Sequence, residues 1–224
     1  MPHGLNAAGS AGASTSAVVC DGALSHPGAT AELWPSPIPL WQAAPEDVAM
    51  GVCGHQDGTT PQLSGPWRLL LLGDGSPTRH LQSLTGRAVQ VQVIAMQADH
   101  DTEVEAPLEV EELEPPLVRR QVWLRCGEQT LAWAESWWNQ QQAERHLQER
   151  NQPIWTSLTA NRAELYREVD GLALVKAPWL EAGFQRSGPY WSRHYRFFRG
   201  GRELTVIREV FSPLLEQWLG PPNT

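Results

Sequence analysis

Two alternating runs, YWSRHYRFF (190–198) and ELTVIREVF (203–211), meet at the pair Gly200-Gly201 and constrain this chain more than any other stretch. A two-residue Gly-Gly loop favours a type I′ turn, because both central residues need positive φ and the turn's twist matches that of the strands. The expected product is an antiparallel hairpin that sets Phe197 opposite Leu204, Tyr195 opposite Val206 and Arg193 opposite Arg208. In that register Glu209 shares a face with Ser192, His194 and Arg196, and a slip of one residue would regroup them all. Arg193, Arg196, Arg208 and Glu209 stand where a core would take apolar residues. The hairpin is therefore either a solvated outer face or a wall built to hold an anion. Opposed arginines cost roughly 0.2–1 kcal/mol unless an anion lies between them.

The chain around the hairpin is 224 residues long, enough to bury a sizeable core in one domain. Its formal charge of −8 argues against nucleic acid as a partner. No run of apolar residues is long enough to span a bilayer, so no membrane insertion is expected. Cys20, Cys53 and Cys126 are odd in number and widely spaced, which suits a reducing, cytoplasmic setting. The sequence holds no Walker loop, GxGxxG, HExxH or GxSxG, so no cofactor and no metal are expected, and the chain is read as a monomer. Lys176 is the only lysine among 17 basic residues; the rest are arginine, the side chain suited to gripping carboxylates with two parallel hydrogen bonds.

Residues 1–60 read as a low-complexity, disordered tail in which Trp34 and Trp41 can dock onto the folded part, and residues 61–224 as the folded domain. WRLLLLGDGSPTRHLQSLTG suggests two short helices around a turn. RAVQVQVIAMQ and LVRRQVWLRC read as strands, GEQTLAWAESWW as the hairpin partner of the second, and NQQQAERHLQERN as a helix. The stretch from Pro153 to Val175 is ambiguous between helix and strand. Local hairpins dominate, which predicts an α+β fold with a single antiparallel sheet flanked by helices. In VRRQVWLRC the period of two puts Arg120 with Val122 and Leu124 on the core face, and Arg119, Gln121, Trp123 and Arg125 on a solvent face. A buried guanidinium is costly unless paired; an internal carboxylate or a ligand's would both serve.

LLLGDGSPTRHLQSLTGRAVQVQV, RRQVWLRCGEQTLAWAESWW, PIWTSL and RHYRFFRGGRELTVIREVFSP, in that order, resemble the chorismate lyase family from about Trp67 to Leu214. The resemblance implies cofactor-free cleavage of chorismate to 4-hydroxybenzoate and pyruvate, with the ligand enclosed under loops, in a branch that supplies the plastoquinone head group. It implies Arg120 as the residue holding a substrate carboxylate, Glu209 as the pocket carboxylate, and Ile154 as a backbone N–H donor to the ligand. Pro77 falls in a turn that lines the family's pocket, and Arg196, with Arg193 and Arg208, is a candidate for the second carboxylate. The family's second pocket arginine is absent: Glu135 and Ser136 occupy that strand, and Trp155 replaces a glycine. The alternative is a small-carboxylate sensor of the same fold. The lack of any Lys or Arg ahead of Arg68 argues against a DNA-binding module before it.

Overall fold

β6 (Tyr190–Arg199) and β7 (Arg202–Phe211) form the expected hairpin, and Gly200 and Gly201 take φ of 57° and 76°, the left-handed pair a type I′ turn needs. The register differs from the expected one beyond the first two pairs. Arg199 faces Arg202 and Phe198 faces Glu203, but a bulge at Phe197/Phe198 then brings Phe197 opposite Thr205, Tyr195 opposite Ile207 and Arg193 opposite Glu209. The expected Arg193–Arg208, Tyr195–Val206 and Phe197–Leu204 pairs do not form. One extra residue in β7 is enough to trade a like-charge pair for an opposite-charge pair.

The computed structural model describes residues 32–49, 63–99, 105–159, 162 and 164–222. The hairpin sits near the middle of a seven-stranded sheet, all of whose neighbours run antiparallel, in the order β1-β5-β6-β7-β4-β3-β2. The other strands are β1 (Ile38–Ala43), β2 (Gln90–Asp99), β3 (Leu117–Cys126), β4 (Gln129–Asn139) and β5 (Tyr166–Lys176). The helices are α1 (Pro45–Ala49), α2 (Gly65–Leu72), α3 (Pro77–Thr85), α4 (Gln140–His146), α5 (Ile154–Thr159), α6 (Pro178–Phe184) and α7 (Glu216–Leu219). Asn139 caps α4 by accepting from the backbone N–H of Gln141 and Gln142. The ambiguous stretch holds both types of element, α5 first and then β5. None of these helices is long and apolar enough to cross a membrane.

Residues 32–49 fall in the stretch expected to be a tail, yet β1 pairs with β5 from Ile38↔Lys176 to Ala43↔Leu172 and closes one edge of the sheet. Trp41 meets Trp191 edge-on at 5.8 Å, and Trp34 packs on Trp123 and Trp179 at 5.5 and 4.9 Å. The rest of that stretch, 1–31 and 50–60, lies outside the described residues.

Both faces of the sheet are covered. One carries Leu70, Leu71 and Leu81 of α2 and α3 over Val91, Val122, Leu124 and Phe211, continuing through Leu158 over Tyr195, Phe197 and Ile207. The other carries Leu180 and Phe184 of α6 with Trp34 over Trp123, Trp133 and Val210. The face of β3 expected to meet solvent is thus interior: Arg119, Gln121 and Trp123 are 2%, 0% and 7% exposed. Glu135 resolves the charge there. It accepts hydrogen bonds from Arg119 Nε and Gln121 Nε2 on one oxygen and from Arg208 Nη2 on the other. The Gln121 amide in turn exchanges hydrogen bonds with the backbone of Trp34, at 2.8 and 2.9 Å, so the second layer is held by polar as well as aromatic contacts.

Candidate active site

Beneath α3 and α5 the sheet lines a partly open cavity of about 40 Å³. Its floor comes from six strands: Val91 of β2, Arg120 and Val122 of β3, Ala134 of β4, Arg167 of β5, Tyr195 and Phe197 of β6, and Ile207 and Glu209 of β7. Its roof is the start of α3 (Ser76, Pro77, Thr78) and the approach to α5 (Pro153, Ile154, Trp155). Both helices point their N-terminal, partially positive ends at the space, and Pro77 takes the first helical position, where a missing N–H is tolerated. Trp155 fills part of the volume and packs on Phe197 at 6.4 Å between rings.

Glu209, 1% exposed, has both oxygens engaged. Arg193 Nε donates to Oε2 at 2.9 Å, and the Tyr195 hydroxyl donates to Oε1 at 2.8 Å. Burial, aided by the neighbouring Glu209, pushes the Tyr195 phenol up, so it stays protonated as the donor. Arg193 is anchored from behind: its Nη1 donates to the carbonyls of Leu70, Leu71 and Gly73 where α2 ends, the negative end of that helix. His80 of α3 stands in the field of Arg193 and Arg167, and burial followed by those two guanidiniums holds it below 6.5.

Four arginines and two glutamates are among the buried residues. Glu135 pairs with Arg119, and Glu209 with Arg193. The remaining two, Arg120 and Arg167, pair with no carboxylate among the described residues, and both face the cavity. Arg120 Nη2 donates to the Arg150 carbonyl at 2.6 Å while its Nε is buried without an acceptor; burial pushes its guanidinium down to about 10, still charged at neutral pH. Arg167 Nη1 donates to the Gly75 carbonyl, and its Nε is likewise buried without an acceptor. Two uncompensated buried cations in one cavity are costly, and an anionic ligand removes that cost.

Of the residues expected in the site, Arg120, Glu209, Ile154 and Pro77 come together here. Arg196 does not. The bulge turns it to the opposite face, where its Nη2 and Nε bind Asp170 at 2.7 and 3.1 Å and its Nη1 meets Glu112 at 3.2 Å. Arg208 is paired with Glu135, and Arg193 is spent on Glu209. Ser136 sits opposite Arg120 in the β3–β4 ladder, and Glu135 belongs to the other face. Arg167 is the residue sequence reasoning missed. Its signal becomes readable only once the start of β5 is known: in YREV a strand period then places Arg167 with Val169, as Arg120 stands with Val122.

A larger groove of about 700 Å³ lies on the opposite face between β1, β5, β6 and the 3-10 turn Leu108–Glu112. Its one permanently charged side chain from β7, Arg208, is matched by Glu135, and burial holds the His194 imidazole, 3.4 Å from Glu109, below its ordinary range.

A protein-family model described as chorismate pyruvate-lyase, Rv2949c-like, matches residues 71–219. The ycf21 protein of Cyanophora paradoxa is 30% identical over 151 residues, 67% of this chain and 78% of that one. That of Porphyra purpurea is 32% identical over 166 residues, 73% of this chain and 88% of the relative. Among solved structures, the effector domain of PhnF from Mycobacterium smegmatis superposes with a TM-score of 0.49 at 12% identity, covering 64% of this chain and 91% of that one.

Proposed function

This chain belongs to the Rv2949c-like chorismate pyruvate-lyase family, and from that premise we propose that it cleaves chorismate to 4-hydroxybenzoate and pyruvate in the cavity under α3 and α5, supplying a quinone head group. The observation that carries the proposal is the pair of buried, carboxylate-free arginines, Arg120 and Arg167, beside the fully engaged Glu209.

The substrate needs little activation. Loss of the C4 hydrogen and of the enolpyruvyl ether at C3 makes the ring aromatic; the C3–O bond breaks, the ring proton departs, and the enolpyruvate takes up a proton on its methylene carbon to become pyruvate. What the protein supplies is a dry pocket that holds the reacting conformer and its charges. Arg120 grips the ring carboxylate with Nε, which has no protein acceptor. Glu209 faces the hydroxyl end of the ring as a hydrogen-bond acceptor, held in place by Arg193 and Tyr195. Ile154 opens α5, where a helix leaves its first N–H groups without acceptors of its own.

The test is to mix the purified protein with chorismate and to follow 4-hydroxybenzoate by its absorbance and pyruvate by a coupled assay. Equimolar release of the two is expected. Tight binding of chorismate with neither product formed defeats the lyase reading and leaves a sensor of small carboxylates.

A further inference from the structure

Resting on the lyase reading, we infer that Arg167 is the second anion anchor of the cavity. It holds the side-arm carboxylate of the substrate and so makes the site select a dicarboxylate over its monocarboxylate ring product. The position on β4 where the family resemblance leads one to look for a second arginine carries Glu135 and Ser136, and Glu135 lies on the other face of the sheet. Arg167 enters the same space from β5 instead.

Its surroundings fit an anchor. The guanidinium lies over the Tyr195 ring at 4.3 Å and the Phe197 ring at 4.6 Å. Stacking of that kind occupies the flat faces and leaves the in-plane N–H groups for an acceptor. One of these groups is tied to the Gly75 carbonyl at the turn between α2 and α3, which fixes the orientation, while Nε is buried with no protein acceptor. β3 and β5 are separated by β4, β7 and β6, a span of roughly 19 Å at the usual inter-strand distance. The two long side chains line one cavity from those strands, so a ligand that widens its volume of about 40 Å³ to enter meets both guanidiniums. Chorismate carries two carboxylates, one on the ring and one on the enolpyruvyl arm. Cleavage of the C3–O bond distributes them between the two products. Each product then retains one anchor, and the reaction itself cuts the link that made the substrate bind at both.

Three variants test this: R167M, R167K and R120M, each compared with the unaltered protein for KM and kcat on chorismate and for competitive inhibition by 4-hydroxybenzoate. Loss of one charged hydrogen-bonding partner predicts a KM for chorismate about 10- to 100-fold higher in R167M. The inhibition constant for 4-hydroxybenzoate is expected to stay within about threefold of its original value on the same scale. R120M weakens both ligands, and R167K, which keeps the charge but not the fork, falls between R167M and the unaltered protein. A merely structural role for Arg167 would move both ligands together, and that result overturns the inference. If R167M does not fold by circular dichroism, the same split read from R167K decides. Should the unaltered protein bind chorismate without releasing pyruvate, dissociation constants replace KM; the lyase reading then fails, and the selective loss in R167M still upholds the anchor. Failure of the unaltered protein to bind chorismate at all overturns both.

Discussion

Glu135 and Arg120 are both buried and charged, and the consequences of removing them differ. Glu135 neutralises two guanidiniums, Arg119 and Arg208, so Glu135→Ala leaves both with neutral acceptors but no carboxylate in the second layer. The expected loss is about 3–5 kcal/mol, read from the denaturant midpoint. Arg120 has no carboxylate to abandon and gives up one hydrogen bond to the Arg150 carbonyl. Arg120→Ala therefore changes stability by only about 1 kcal/mol, while turnover of chorismate falls roughly 100-fold or more for want of a preorganised donor. Unfolding of Arg120→Ala would instead make that arginine a structural element. Glu203 tests charge in another way. Burial, reinforced by Glu112, Asp170 and Glu109 against the opposing pull of Arg196, raises its carboxyl to about 7. The folded state thus binds a proton more readily than the unfolded one. Its contribution to stability is complete below the ordinary carboxylate range and is lost as pH rises through about 7. Glu203→Gln is expected to flatten the pH dependence of the denaturation midpoint between pH values of about 5 and 8.

At the level of elements, α6 approaches β3 closely because Gly183 carries no side chain: a Cβ there would lie 2.3 Å from two carbons of the Trp123 ring. Trp123 cannot yield, since Trp34 and Phe184 hold its edges at 5.5 and 5.3 Å. Gly183→Ala should lower stability by about 1–3 kcal/mol, measurable by chemical denaturation. The strands and the Gly-Gly turn were legible in the sequence because periodicity and turn chemistry are local properties. The bulge at Phe197/Phe198 was not, since it answers to pairing between side chains that meet only in the folded sheet, Arg193 with Glu209 above all. One unseen residue of slip changed the faces expected for Arg196 and Arg193 together. The ladders of β3, by contrast, take their extra residues on its neighbours, Ile94 of β2 and Leu131 of β4. Its own period is unbroken, and Arg120 lies on the face the period gives it. Arg167 was hidden because Pro153 to Val175 mixes a helix and a strand, and its period could not be assigned before the boundary between them was known.

For the molecule as a whole, the layer opposite the cavity is as well built as the one above it. Trp34 touches Trp123 and Trp179 and bonds its backbone to Gln121, which links the N-terminal segment to the Glu135 network. Trp34→Ala should cost about 2 kcal/mol, below the usual range for a buried aromatic because Trp34 is only half-buried, and the drop should appear as a lower thermal midpoint. The sheet order also has a consequence in time. β1 pairs only with β5, whose first residue follows the end of β1 by more than a hundred positions. A ribosome adding about 5–20 residues per second exposes β1 for several seconds before its partner exists. During that interval the strand must avoid every other chain in the polysome. Pro39 lacks a donor N–H, and the register of β1 breaks between Pro39 and Trp41. Both features make the waiting strand a poor template for intermolecular pairing while Ile38 and Leu40 stay exposed.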